Sequence, residues 1–220
     1  MDTTTLAVTL ISVAGTLGGT LGGASLSQRA SRAVALELDQ RAESERAQER
    51  RELALQAKRD LYARLNTTAR AYRVAARDAA LASERGESVE LAHLDAAKDA
   101  WADEYSQAQM ALAKDVLRIA SSLNRSLGTG YSVVKQLLSR PIGGAYRRAD
   151  LWFSGPLSDG VYLLRVTLRH DLGVEVDPHF EQDCVRMLSA LDGARDAIAD
   201  ELAEERSRAA TGAASGRLEG

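Results

Sequence analysis

Apolar residues recur at intervals of three and four along most of the chain, which is the spacing of one helix face. Over residues 5–26, placed on a helix of 100° per residue, Leu6, Leu10, Val13, Leu17 and Leu21 fall on one side. Gly15, Gly18, Gly19, Gly22 and Gly23 fall on the other. No charge occurs between Asp2 and Arg29, a gap longer than the roughly 20 residues a helix needs to cross a hydrocarbon core. The pattern predicts a transmembrane helix at 5–26 behind a short extracytoplasmic N-terminus, residues 1–4. The glycines form two small-xxx-small ladders, and in lipid such a smooth face lets two backbones approach closely. These five residues are therefore the expected helix–helix interface of a homodimer.

Arg29 and Arg32 follow the apolar run and nothing basic precedes it. The positive-inside rule then gives an N-out/C-in, single-pass protein of the cell membrane with a cytoplasmic C-terminal domain. A cleaved signal peptide is the rival reading, but it wants a basic stretch ahead of the apolar one. Residues 27–52 read as a charged helical stalk. Nine of the fourteen residues 39–52 are charged, with mixed signs, which suits a solvated helix or the outer faces of a short coiled coil.

Residues 53–208 read as a cytoplasmic helical bundle. Leu53, Ala57, Leu61, Leu65, Ala69, Tyr72, Ala76 and Ala79 make one stripe. Gly86 stands where a C-terminal cap is expected and Ser88 where the next N-cap is. A second stripe runs through Leu94, Ala97, Trp101, Tyr105, Ala108, Leu112, Val116, Ile119, Leu123 and Leu127, so the two helices form an antiparallel hairpin. Gly128-Thr129-Gly130 is expected to end the second helix, with a short helix at 131–139 and irregular chain at 140–157. Residues 159–172 fit both strand alternation and helix spacing; Arg169, His170 and Gly173 at the end favour helix. Asp177-Pro178 starts a last helix carrying Phe180, Cys184, Met187, Leu191, Ala194, Ile198 and Leu202. Residues 209–220 are small and polar, a disordered tail by composition. The fold class is all-α, with four to five helices in the bundle.

Charge adds a division along the chain. Residues 116–170 hold eight basic side chains and two acidic ones, net +6; residues 171–220 hold five and twelve, net −7. The two blocks either pair inside the bundle or leave Arg140, Arg147, Arg148, Arg165 and Arg169 as contacts for an anionic partner such as nucleic acid or lipid headgroups. Tyr146, Trp152 and Phe153 are interleaved with these arginines. A single cysteine, Cys184, excludes an internal disulfide and fits a reducing compartment. Only four of the 28 basic residues are lysine, a bias of GC-rich genomes.

Motifs for chemistry are absent from the sequence: there is no phosphate loop, no G-x-S-x-G and no paired Cys-x-x-Cys. His170, Asp171, Asp177, His179, Asp183 and Cys184 come close enough in sequence to be weighed as metal ligands. Their positions at a helix end and a helix start are those of capping residues, so neither a metal, a cofactor nor a catalytic residue is expected.

The order of features, VAGTLGGTLGG followed by SQRASR and a helical domain, resembles uncharacterised single-pass membrane-anchored helical proteins of high-GC Gram-positive bacteria. A fainter likeness is to membrane-associated accessory proteins that spread conjugative plasmids in mycelial bacteria. The resemblance implies an inner-membrane protein of unknown role; the residues themselves lead to the expectation of a membrane-anchored scaffold without catalytic activity, which associates with itself and an unidentified protein partner. A role in DNA transfer or another nucleic-acid process is the alternative, and an enzyme with an unrecognised site is the third reading.

Overall fold

A computed structural model describes residues 3–139, 145–174 and 177–215, with side chains for 36–139, 145–174 and 177–208. The described residues form six helices and no strand, in agreement with the all-α expectation. They are α1 (Thr3–Glu84), α2 (Leu91–Ala111), α3 (Lys114–Ser139), α4 (Ala145–Ser154), α5 (Pro156–Asp171) and α6 (Phe180–Ser215). The chain divides into two compact units, residues 1–56 and 57–220. The described core belongs to the second.

The expected single-pass placement in the cell membrane is corrected. No helix among the described residues is long and apolar enough to cross a membrane. Half of residues 5–26 are Gly, Ser or Thr, which contribute little of the transfer free energy that holds a helix in hydrocarbon. With the anchor goes the single-pass, N-out/C-in topology. The side chains of the first 35 residues, including the face of Gly15, Gly18, Gly19, Gly22 and Gly23, lie outside the described residues.

α1 has no glycine or proline from residue 25 to its end, so nothing interrupts its hydrogen-bond ladder. Its buried face begins at Leu61 and continues through Tyr62, Leu65, Ala69, Tyr72, Ala76 and Ala80. Leu53, the expected start of that stripe, is exposed. Gly86 ends the helix at φ +71°. Its amide reaches the Ser83 carbonyl and the Glu87 amide reaches that of Ala82, the paired bonds of a glycine-capped helix end. α5 ends in the same way at Gly173, φ +69°, where the Gly173 N–H donates to the His170 carbonyl and the Val174 N–H to that of Arg169. Both stops were legible as glycines after a periodic stretch.

The stripe from Leu94 to Leu127 is not one helix. The chain is extended at Leu112 (φ −75°, ψ 141°) and restarts at Lys114, with Asp115 in the first turn of α3. The expected stop at Gly128-Thr129-Gly130 does not occur, and α3 passes through both glycines. Gly130 serves close packing. A Cβ there would lie 2.9 Å from Phe153 Cε1 and 3.2 Å from Trp152 Nε1. Those rings come from α4, a helix within the segment expected to be irregular. Its residues Ala145, Ala149, Trp152 and Phe153 are buried at helical spacing. Pro156 occupies the first turn of α5, where its missing N–H costs nothing.

α5 is the central helix, in contact with α3, α4 and α6. It buries Leu157, Val161, Leu163, Leu164, Thr167 and Leu168. Before α6, the Asp177 carboxylate accepts the His179 amide at 2.9 Å, and the helix starts at Phe180. α6 continues to Ser215, into the stretch expected as a tail.

Gly130→Ala should destabilise the bundle by about 1–3 kcal/mol, because the fully buried Phe153 ring has no room to withdraw. Gly128→Ala, two residues earlier with nothing within 4 Å of the added Cβ, should be neutral or stabilising by up to about 1 kcal/mol. Urea denaturation of the two variants checks this; equal midpoints would show that the Gly130 contact is not what it limits.

Candidate functional site

Of the residues weighed as metal ligands, His170, Asp171 and Cys184 line one cleft of about 390 Å³, but each is engaged in its own contact. Asp171 is the last residue of α5, where the helix dipole disfavours a carboxylate. Lys58 of α1 offsets this, with Nζ 2.6 Å from Asp171 Oδ2, and the Tyr62 hydroxyl donates to the same oxygen. Burial acts to raise the Asp171 pKa, but the hydrogen bonds from Lys58 and Tyr62 outweigh it and hold the carboxyl below its ordinary value. His170 stacks flat on Phe180, with centroids 3.9 Å apart. Asp177 caps α6, and Asp183 pairs with Arg186 at 2.7 Å. Cys184 is buried 3.8 Å from the Thr167 hydroxyl, and burial pushes its thiol pKa up. Among the described residues no group of three His, Cys, Asp or Glu side chains is placed to hold a metal ion.

The opposite charge blocks meet across α4 and α6. Arg148 reaches Glu205 at 2.7 Å and Glu201 at 3.2 Å. On α3, Gln136 donates to Glu205 at 2.5 Å and Arg125 lies 3.9 Å from Asp192. Asp192 also accepts from Ser122 and Arg195. Arg148 is thus occupied by the acidic helix, whereas Arg147 beside it is exposed. Arg169 lies in the last turn of α5, where a cation favours the carbonyl end. Arg140 lies outside the described residues. Of the described arginines in that set, Arg147 and Arg148 line one cleft and Arg165 another.

Arg165 belongs to a different grouping. It shares a cleft of about 300 Å³ with Asn66, Arg70 and Arg73 of α1 and Ser158, Val161 and Tyr162 of α5. Residues 66, 70 and 73 lie on one helix face by their spacing, as do 158, 162 and 165. The Arg165 guanidinium lies 5.1 Å from the Tyr162 ring centroid. Arg73 donates from Nη1 to the Phe153 carbonyl at 2.9 Å, while its Nε is shut from solvent without a partner. Burial, then the neighbouring charges of Arg77 and Arg70, lower the Arg73 pKa. Residues 61–77 hold four arginines and no acid, yet sequence reading missed Arg70 and Arg73 because they sit on α1, more than 80 residues from α5.

A second unusual surface is residues 36–57 of α1. Every side chain there is exposed except the half-buried Ala42 and Ala47. Leu36, Leu38, Leu53 and Leu55 are 63, 58, 71 and 40% exposed. Local pairs support the helix, including Arg41 with Glu37 at 2.6 Å and Gln48 with Glu52 at 2.9 Å.

Comparison with family models, curated proteins and solved structures gives no match.

Asp171 supplies a pH test. Its folded pKa lies below the unfolded value, so its contribution is present above about pH 4 and is lost as pH falls through the folded pKa. Asp171→Asn should cost about 1–2 kcal/mol at pH 7 and flatten the acid side of the stability profile. Denaturation midpoints between pH 7 and pH 3 read both effects; parallel profiles would remove the Lys58–Tyr62–Asp171 contact as their source.

Proposed function

We propose that this protein is a non-catalytic helical interaction module that pairs with a second copy of itself through residues 36–56 of α1. The observation that carries the reading is the set of four exposed leucines on a helix that is otherwise charged and solvated. A helix with no buried stripe gains little from its own sequence. At 100° per residue Leu38 and Leu53 fall within about 60° of one another, and alongside a second copy that face would be removed from water, at up to roughly 1.5–3 kcal/mol for each leucine fully buried. The six acidic and four basic side chains of residues 36–56 offer charge pairing between parallel copies as well as within one.

The non-catalytic part of the reading is supported by the engagement of Asp171, His170, Asp177, Asp183 and Cys184 in packing and capping contacts. Support for a nucleic-acid or DNA-transfer role is weaker, because Arg148 of the basic segment already faces Glu201 and Glu205. An unidentified protein partner remains compatible with the same exposed leucines.

Sedimentation of the full chain should show a concentration-dependent dimer. Leu36→Lys with Leu38→Lys, or Leu53→Lys with Leu55→Lys, should raise the dimer dissociation constant at least about tenfold, given the leucine burial each pair forfeits. Met110→Lys is the control, since Met110 is 86% exposed on α2. A monomer at all concentrations, or an unchanged dimer in both leucine variants, would end the proposal.

A further inference from the structure

We propose that the cleft between α1 and α5 binds the phosphate group of a small phosphate monoester. Elsewhere the cations that contact other helices are matched by carboxylates: Lys58 by Asp171, Arg64 by Glu104, and Arg148 by Glu201 and Glu205. The cleft brings together Arg70, Arg73 and Arg165 with no acidic residue in its lining. Arg70 bears on Arg73 as a like charge, with Asp78 acting the other way from outside the lining, and the lining itself supplies no counter-charge of the kind found at the other sites. An anion in the cleft supplies it.

The donors select a phosphate over a carboxylate. One bidentate fork satisfies the two coplanar oxygens of a carboxylate. Here Asn66, Arg70 and Arg73 stand on one wall and Ser158 and Arg165 on the other, so donors come from two helices and suit three oxygens arranged about a phosphorus. Two negative charges on a monoester also match the three cations better than one. The volume of about 300 Å³ is at the small end of ligand pockets, which fits a phosphate with a modest substituent and not a polynucleotide strand. Val161 and the half-exposed Tyr162 ring give that substituent an apolar wall. The Arg73 contact to the Phe153 carbonyl fixes one guanidinium in advance, so part of the ordering cost of binding is already met.

The test uses the full chain with phenyl phosphate, inorganic phosphate, benzoate and a single-stranded oligonucleotide at constant ionic strength, read by calorimetry and by phosphorus NMR line broadening. Phenyl phosphate should bind saturably and more tightly than inorganic phosphate, and benzoate should not compete. Arg70→Gln and Arg165→Gln, both at exposed positions, should each weaken phenyl phosphate about tenfold with the helical circular dichroism unchanged. Tyr162→Ala should weaken phenyl phosphate while leaving inorganic phosphate as it was. No saturable binding, equal affinity for benzoate, or equal affinity in wild type and both arginine variants would overturn the proposal. So would phenyl phosphate binding no tighter than inorganic phosphate, or an oligonucleotide as the only ligand. None of these readouts depends on dimerisation, so the site and the α1 pairing stand or fall separately.

Discussion

Leu191 of α6 and Leu123 of α3 meet over the backbone of Gly160 in α5. A Cβ at that glycine would lie 2.8 Å from one Leu191 methyl and 3.4 Å from a Leu123 methyl. The missing side chain is what lets three helices converge on one point, and both leucines are buried there. Gly130 does the same one contact away, where α3 comes against the rings of Trp152 and Phe153. Large residues set against a glycine let the helices approach closely, where an added Cβ would force a neighbour to shift. α1 adds Leu65, Ala69, Tyr72 and Ala76, which are small apart from one leucine and one tyrosine. Small residues on that stretch are those a helix needs to lie close to its neighbours.

Charge is arranged around this apolar centre with one exception. Acidic α6 answers the basic residues of α3 and α4, and Lys58 answers the carboxylate at the end of α5. Such part-exposed pairs add modest stability, but they decide which faces meet by making the wrong ones repel. The α1–α5 cleft departs from the rule by collecting cations alone. The leucines of residues 36–55 depart from the companion rule that large apolar side chains on an ordered helix find cover. Both exceptions lie on α1, which contributes one face to the core and leaves the side chains of residues 36–57 largely in water.

Much of the helical architecture was legible because helix formation is largely local. The length of α1 follows from the absence of glycine and proline after residue 24, and its end from Gly86. The Asp177-Pro178 start of α6 and the Gly173 end of α5 were readable for the same reason, since a cap satisfies groups within four residues of itself. Errors arose where a local signal had two physical uses. Gly128 and Gly130 read as a stop because glycine weakens a helix, yet Gly130 exists for the rings packed against it. The run 140–157 read as irregular because of its prolines and glycines, yet Ala145, Ala149, Trp152 and Phe153 have helical spacing. The apolar run at 5–26 read as a membrane segment because it lacks charge, although half of it is Gly, Ser and Thr.

By itself, the sequence determined the all-α class, the ends of α1 and α5, the region where α6 starts, the opposed charge blocks and the solvated character of residues 39–52. Each depends on spacing or composition within a few turns, and short-range backbone and side-chain physics acts over that distance. Only the tertiary structure decided which cations are neutralised and which are not. Arg148 and Arg165 look alike in the chain, seventeen residues apart in the same basic block. Arg148 pairs with Glu205, whereas Arg165 lines a cleft with Arg70 and Arg73. That difference comes from helices brought together across 57 and more than 80 residues of sequence, and Coulomb interactions follow distance in space.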